Sequence, residues 1–164
     1  EKIRKKYFFS KYYYKYTVPL QEDYNDRVEG SVSITKENID NILKYLSLLE
    51  DKVNKFYREA PQDEPRAVVL PFYVLTGIGL KFYEDLYKEG FVTKFRWIDW
   101  IAEAGEYSAS DEKLSKADLK DIQRLLTIIV RQGRFCEGLL EETIESGLML
   151  KILKRLKEIR EEIE

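Results

Sequence analysis

Apolar residues recur at three- and four-residue steps over most of the chain after residue 34, which is the pattern of amphipathic helices. The first series begins behind Thr35, a residue suited to cap a helix, and predicts one long helix that ends near Ala60. Two further stripes predict a helix from Pro71 to just before Gly90 and a shorter helix from Thr93 that Gly105 stops.

The second half of the chain repeats this pattern after a polar interval. Residues 106–115 are rich in serine and predict a surface loop, and Ser115 with Asp118 predicts the start of a helix. Its apolar face would be Leu119, Ile122, Leu126, Ile129 and Val130. Gly133 is expected to interrupt or end this helix, a short helix should close at Gly147, and a charged C-terminal helix should follow.

Residues 1–34 differ from the rest, because aromatic residues are followed by apolar positions that alternate in steps of two. This pattern predicts a short antiparallel pair of strands. The predicted fold class is therefore mainly α, a five- to six-helix single domain with a short N-terminal β-hairpin. Residues 1–34 would form an aromatic, basic, β-prone segment, and residues 35–164 a helical domain packed around the helix at 119–130.

The composition limits the kinds of site that the chain can form. The chain has 164 residues and a net charge of -2, from 28 basic and 30 acidic side chains, so a charged partner must be met by a local patch. It has no histidine and one cysteine, which excludes a disulfide framework and the commonest metal ligand and general base. We expect no metal site and no cofactor. The abundance of lysine, glutamate and arginine resembles proteins from hot habitats.

No apolar run approaches the length of a membrane span, and the charged start lacks a signal-peptide cleavage pattern. The sequence thus predicts a cytoplasmic protein without a membrane partner.

The N-terminal segment mixes basic and aromatic residues, a combination that can follow a phosphate backbone while stacking on bases. The candidate nucleic-acid-binding residues are Lys5, Lys6, Lys11, Lys15, Tyr12 and Tyr14. Alternating aromatics on an edge strand guarded by lysines would produce the same string for structural reasons alone.

The stretch "RQGRFCEG" is the densest cluster of chemistry in the chain. Arg131, Arg134 and Glu137 are spaced one helical turn apart and can form a ladder on a single face. The ladder is either an ion-pair network that locks a helix junction or a fork for a phosphate or carboxylate. We expect it to converge with Trp97 and Asp99 at one cleft or buried junction.

Two other motifs have simpler interpretations. "TGIG" at residues 76–79 lacks the third glycine of a dinucleotide loop, so Gly77 and Gly79 are expected to let a neighbouring helix approach closely. Cys136 has no histidine to activate it and is expected to be a small buried apolar residue.

Two segments, "FYEDLYKEGFVTKFRWIDW" and "LLTIIVRQGRFCEGLLEETIESGLMLKILKRL", resemble a family of small prokaryotic proteins of unknown function. The resemblance covers residues 70–156, and its pattern includes an Arg-x-x-Arg-Phe-x-Glu-Gly segment. The matching positions are Phe95, Trp97, Trp100, Arg131, Arg134, Phe135, Glu137, Gly138, Glu145, Ser146 and Gly147. The resemblance implies a domain boundary and the location of a site, but no activity.

Two functions are compatible with these patterns. The leading hypothesis is a binding or interaction module for a protein or nucleic acid, because the usual catalytic side chains are scarce. The alternative is a small enzyme that acts on a phosphorylated or nucleic-acid substrate through Arg131, Arg134 and a carboxylate such as Glu137 or Asp99.

Overall fold

The computed structural model describes residues 33–51, 55–59, 73–134, 136 and 138–163, and this part of the chain is mainly helical with one small antiparallel sheet. The strands are β1 (Tyr57–Glu59) and β2 (Tyr73–Leu75), and a short 3-10 helix covers Trp97–Trp100. The α-helices are α1 (Lys36–Leu43), α2 (Leu46–Glu50), α3 (Gly77–Lys88), α4 (Ile101–Ala109), α5 (Asp111–Ser115), α6 (Leu119–Gly133), α7 (Leu139–Glu145) and α8 (Leu148–Glu162).

Helix α6 is deeply buried along its middle. Every side chain from Leu125 to Val130 is buried, so this stretch of the helix is covered on all sides. Thr127 is the polar member of this run, and its hydroxyl bonds to the carbonyl of Gln123 at 2.7 Å and accepts from the amide of Thr93 at 3.0 Å. The bond with Thr93 fixes the segment after α3 against α6.

Helix α8 packs against α1, α2, α5, α6 and α7 and ties these helices together. Its apolar side is buried and includes Met149, Ile152, Leu153 and Leu156. Three of its basic side chains pair with acids on other helices. Arg160 binds Asp40 of α1, Lys154 binds Glu50 of α2, and Lys151 binds Asp111 of α5. The charged C-terminal helix that the sequence predicts therefore links three other helices through ion pairs.

A buried polar seam joins α3 to the α1–α2 region. Asp85 is 2% exposed and accepts a hydrogen bond from the hydroxyl of Tyr45 at 2.7 Å. Two ammonium groups reach the same carboxylate, that of Lys44 at 2.9 Å and that of Lys81 at 3.0 Å. Burial opposes ionisation of Asp85, but the bonds from these partners outweigh it and hold its pKa well below the usual range.

The predicted long helix from Thr35 to Ala60 is wrong in its second half. Thr35 does cap α1, with a capping box to Asn38, but the helical turn breaks at Tyr45 and the helix ends at Glu50. Tyr57 instead enters β1, where it is paired with Leu75 of β2. Aromatic side chains favour a paired strand, and that preference outweighs the helical spacing.

The sheet of the described residues therefore lies at residues 57–75, and the hairpin predicted within residues 1–34 is not tested by it. Residues 1–32 themselves lie outside the described residues. The helix predicted from Pro71 begins only at Gly77, because Tyr73–Leu75 form the second strand and Thr76 is the capping residue.

Other predicted boundaries have mixed outcomes. Gly90 and Gly147 do follow helix ends and have positive φ angles of 81° and 79°. Gly105 does not stop α4, which continues to Ala109, and the predicted serine-rich loop is instead the end of α4 followed by α5. Asp118 rather than Ser115 caps α6, since its carboxylate accepts the amide of Asp121 at 2.8 Å.

Gly79 allows a close approach, but of a strand rather than the predicted helix. A Cβ atom at Gly79 would lie 2.1 Å from the carbonyl oxygen of Phe56, the residue just before β1. Nothing lies within 4 Å of the same position at Gly77. The hydroxyl of Thr76 also bonds to the carbonyl of Lys55 at 2.7 Å, so the start of α3 is fastened to the start of β1.

Candidate functional site

The outer side of α3 carries two large apolar side chains that remain in contact with solvent. Leu80 is 49% exposed and Tyr87 is 37% exposed, and they are the large apolar residues that reach this level in the described part of the chain. They are seven positions apart in the sequence, so they lie on one stripe of the helix, about 10 Å apart along its axis. Phe82 and Leu86 occupy the opposite, buried side.

Arg134 covers one end of this stripe from the C-terminal cap of α6. Its guanidinium lies 5.6 Å from the centre of the Tyr87 ring and donates a hydrogen bond to the Tyr87 hydroxyl. A second, longer bond runs from its Nε to the hydroxyl of Tyr83 at 3.4 Å. Among the described residues, these two phenols are the hydrogen-bond partners of Arg134, and no carboxylate forms an ion pair with it.

The tyrosines form a connected group. The rings of Tyr83 and Tyr87 are 5.5 Å apart and tilted by 50°. Burial and the hydrogen bond with Tyr83 raise the pKa of Tyr87, while Arg134 and Arg131 act in the opposite direction. Burial also raises the pKa of Tyr57, with smaller contributions from Tyr83 and Glu141. The phenols of Tyr57 and Tyr87 therefore remain protonated donors at neutral pH.

Both arginines of the predicted ladder thus act on one tyrosine. Arg131 is half-buried, Arg134 is exposed, and each opposes the rise in the pKa of Tyr87. We name the surface formed by Leu80, Tyr83, Tyr87, Arg131 and Arg134 the tyrosine–arginine surface. It offers an apolar contact, phenol hydroxyls and guanidinium donors, which suit an anionic or mixed anionic and apolar ligand.

The structure places the other half of the predicted site on a different element. Trp97 is buried in the 3-10 helix, and Asp99 on the same helix is exposed and pairs with Arg96 at 3.1 Å. The contacts of Arg134 run to α3, and the ion pair of Asp99 stays within its own segment. The convergence of all five predicted residues therefore stays a prediction.

A second cluster of cations and aromatic rings surrounds Trp100. The guanidinium of Arg124 lies 5.6 Å from the Trp100 ring and 5.8 Å from the ring of Phe95. Trp100 stacks on Tyr107 at 5.6 Å, and the Tyr107 hydroxyl donates to Asp121. Burial and this bond raise the pKa of Tyr107 to about 12. These groups satisfy one another, which identifies the cluster as part of the packing between α4 and α6.

Several predicted site residues lie outside the described residues. They are Glu137 of the ladder and the candidate nucleic-acid-binding residues Lys5, Lys6, Lys11, Lys15, Tyr12 and Tyr14. Phe135 of the resemblance lies outside as well. Their predicted roles stay predictions.

Sequence reasoning missed Leu80, Tyr83 and Tyr87. Leu80 and Tyr87 fall outside the apolar stripe of α3, on the side where polar residues are the rule, and Tyr83 lies at its edge. Scattered apolar residues are common on protein surfaces, so this spacing alone does not mark a site. Their meeting with Arg134, about fifty residues later in the sequence, had no local signal.

Cys136 is buried, as the sequence predicts, and burial raises the pKa of its thiol, which makes it a poor nucleophile. Among the residues that the structure describes, no three histidine, cysteine, aspartate or glutamate side chains lie close enough together to hold a metal ion. None of the described helices combines the length and the apolar character needed to cross a membrane.

These observations define a mainly helical domain with a small two-stranded sheet and an exposed aromatic and basic surface. The chain belongs to the family of unknown function DUF6508, whose model matches residues 34–162. No curated protein and no solved structure matches the chain.

Proposed function

We propose that this protein is an interaction module that binds a segment of another protein on the tyrosine–arginine surface. The observation that carries the proposal is the exposure of Leu80 and Tyr87 on one stripe of α3, with the guanidinium of Arg134 held over the Tyr87 ring. Tyrosine and arginine are among the residue types that contribute most to binding energy in protein interfaces.

The geometry also supports a surface that is ordered before it binds. Arg134 is held by two tyrosine hydroxyls, and Tyr83 donates to the carbonyl of Val130 at 3.5 Å. Long side chains that are already fixed lose less conformational entropy when a partner docks. The surface is anchored on α3 and α6, and α6 passes through the core.

No described contact favours the alternative of an enzyme that uses an arginine and carboxylate cluster. Asp99 is paired with Arg96 at an exposed position. Arg134 bonds to phenols, which are too weakly acidic to serve as general bases at neutral pH. We therefore adopt the interaction module as the proposed function.

The proposal is tested by selecting binders from a random peptide library displayed on phage, with the whole chain as the target. The affinity of the enriched peptides is then measured by fluorescence anisotropy for the wild type, Tyr87→Ala and Lys88→Ala. Lys88 is the matched control, because it is the next residue on α3 and is 73% exposed.

We expect Tyr87→Ala to weaken binding by about tenfold or more, as for a central interface residue, and Lys88→Ala to change it by less than about twofold. Thermal unfolding of both variants checks that they are folded. Selection that yields no peptide, or peptides that bind Tyr87→Ala as well as the wild type, would contradict the proposed function.

A further inference from the structure

We infer that Arg134 is a positioning residue of the tyrosine–arginine surface, which holds the Tyr87 side chain in the orientation that a partner binds. This inference rests on the proposed function and assigns Arg134 an action through Tyr87 rather than on the partner itself. The contacts at the two ends of this link, on α3 and on α6, support it.

Partial exposure leaves the Tyr87 side chain a choice of orientation. Tyr87 is 37% exposed, whereas Asp85 and Leu86 just before it are buried. A tyrosine on a helix has two common χ1 rotamers, and an exposed ring can move between them. The backbone of α3 therefore fixes where the side chain begins, but not where the ring points.

Arg134 holds the far end of that side chain. Its guanidinium donates a hydrogen bond to the Tyr87 hydroxyl and lies 5.6 Å from the centre of the ring. A ring that is tethered at its hydroxyl can take the other rotamer only by breaking this bond, and a bond from a charged donor is stronger than one between neutral groups. The Tyr83 ring, 5.5 Å away, borders the same orientation.

The base of the Arg134 side chain is itself fixed. Gln132 and Cys136 on either side of it are buried, and the Cys136 amide donates to the Gln132 carbonyl at 2.9 Å. A Cβ atom at Gly133 would lie 2.8 Å from the Leu140 side chain, so α7 packs closely against this turn. The restraint on Tyr87 therefore comes from a backbone that is packed into the protein.

The number of rotamers sets the size of the expected effect. The affinity for a partner that binds one orientation of the ring is reduced by the fraction of molecules in that orientation. Two or three orientations of similar energy leave about a third to a half of the molecules competent, which weakens binding by about two- to threefold. A partner group bound directly to the guanidinium would instead cost about tenfold or more when Arg134 is removed.

The first test uses the free protein. The rings of isotope-labelled tyrosines are followed by NMR relaxation, and the Tyr87 signal is identified by its absence in Tyr87→Phe. We expect the order parameter of the Tyr87 ring to fall in Arg134→Gln and to be partly restored in Arg134→Lys, which keeps a charged donor. Lys88→Gln, the matched control beside Tyr87, should leave it unchanged. A ring that is as ordered in Arg134→Gln as in the wild type would overturn the inference.

A double-mutant cycle tests the link to binding. The enriched peptides are titrated against the wild type, Arg134→Gln, Tyr87→Phe and the double variant, and thermal unfolding checks that each variant is folded. Tyr87→Phe keeps the ring but removes the hydroxyl through which Arg134 acts. We expect each single variant to weaken binding by about two- to threefold, and the double variant to bind no more weakly than either.

The outcomes separate this inference from the proposed function. A loss of about tenfold in Arg134→Gln that persists in the Tyr87→Phe background would show that Arg134 contacts the partner. That result, or unchanged binding by Arg134→Gln, would overturn the inference and leave the proposed function standing. Selection that yields no peptide would remove the proposed function and this inference with it.

Discussion

Replacing Asp85 by asparagine tests how the seam between α3 and the α1–α2 region is held together. The carboxylate is 2% exposed and has three partners, Tyr45, Lys44 and Lys81. Asparagine is nearly the same size, and its amide oxygen can still accept the Tyr45 hydroxyl. The substitution therefore removes the charge while keeping the shape and the buried hydrogen bond.

The expected cost depends on the exposure of the partners. Lys44 and Lys81 are 51% and 58% exposed, so both ammonium groups can return to water when the carboxylate is neutralised. We expect Asp85→Asn to lower the free energy of unfolding by about 1–2 kcal/mol, within the range of a charged hydrogen bond. Asp85→Leu also leaves the Tyr45 hydroxyl buried without its acceptor, which costs about 1–3 kcal/mol more, so we expect a total loss of about 2–5 kcal/mol.

The pH dependence gives a second measurement. Because folding lowers the pKa of Asp85, the full contribution of its charge to the free energy of unfolding is present above the ordinary aspartate pKa of about 4. It is lost as the pH falls towards the lowered pKa of the folded protein. Urea unfolding from neutral to acidic pH should show a constant gap between the wild type and Asp85→Asn that narrows in acid. Equal stability at neutral pH, or a gap that does not narrow, would refute this account of the seam.

Three further predictions concern packing. Gly79→Ala should lower the free energy of unfolding by at least about 2 kcal/mol, because the added Cβ meets a backbone carbonyl. Gly77→Ala, where nothing lies near the added Cβ, should change it by less than about 1 kcal/mol. Equal effects of the two variants in urea unfolding would contradict the close approach at Gly79. Arg155→Met should lower the free energy of unfolding by about 1–2 kcal/mol, because the Arg155 side chain is only 14% exposed and its Nε donates to the carbonyl of Ala117 at 2.9 Å. An unchanged midpoint of urea unfolding would show that this bond is dispensable. Cys136 should react with an aromatic disulfide reagent at mildly alkaline pH only as fast as the protein unfolds, and rapid reaction of the folded protein would show that the thiol is accessible.

The sequence predicted a helix boundary correctly where the chemistry of a single residue determines the backbone conformation. Thr35 caps a helix through its own hydroxyl, and Gly147 takes a φ angle that other residues rarely adopt, so both boundaries are set by the chemistry of one residue. Gly105 failed as a stop signal, because α4 passes through it with an ordinary helical backbone. A glycine ends a helix only where the chain must turn, and the packing of the next segment decides whether it must.

Periodicity failed where a tertiary contact competed with it. The spacing that extends through Tyr57 continues the helical pattern of α1, but Tyr57 pairs with Leu75, eighteen residues further along. The candidate surface was missed for the same reason. The ladder pointed to Arg131 and Arg134, but not to Tyr83 and Tyr87, which belong to a helix about fifty residues earlier. Single-residue spacing carries no information about such pairs.

The backbone contact between Phe56 and Gly79 has a consequence for how this family can vary. Tyr57 directly follows Phe56, and Tyr83 lies one helical turn beyond Gly79, so a main-chain contact sets the distance between two of the tyrosines. A larger residue at Gly79 would move β1 away from α3 and separate Tyr57 from Tyr83 without changing any side chain of the surface. Relatives that differ at this buried position should therefore differ in the packing beneath Tyr83, even where every exposed residue of the surface is the same.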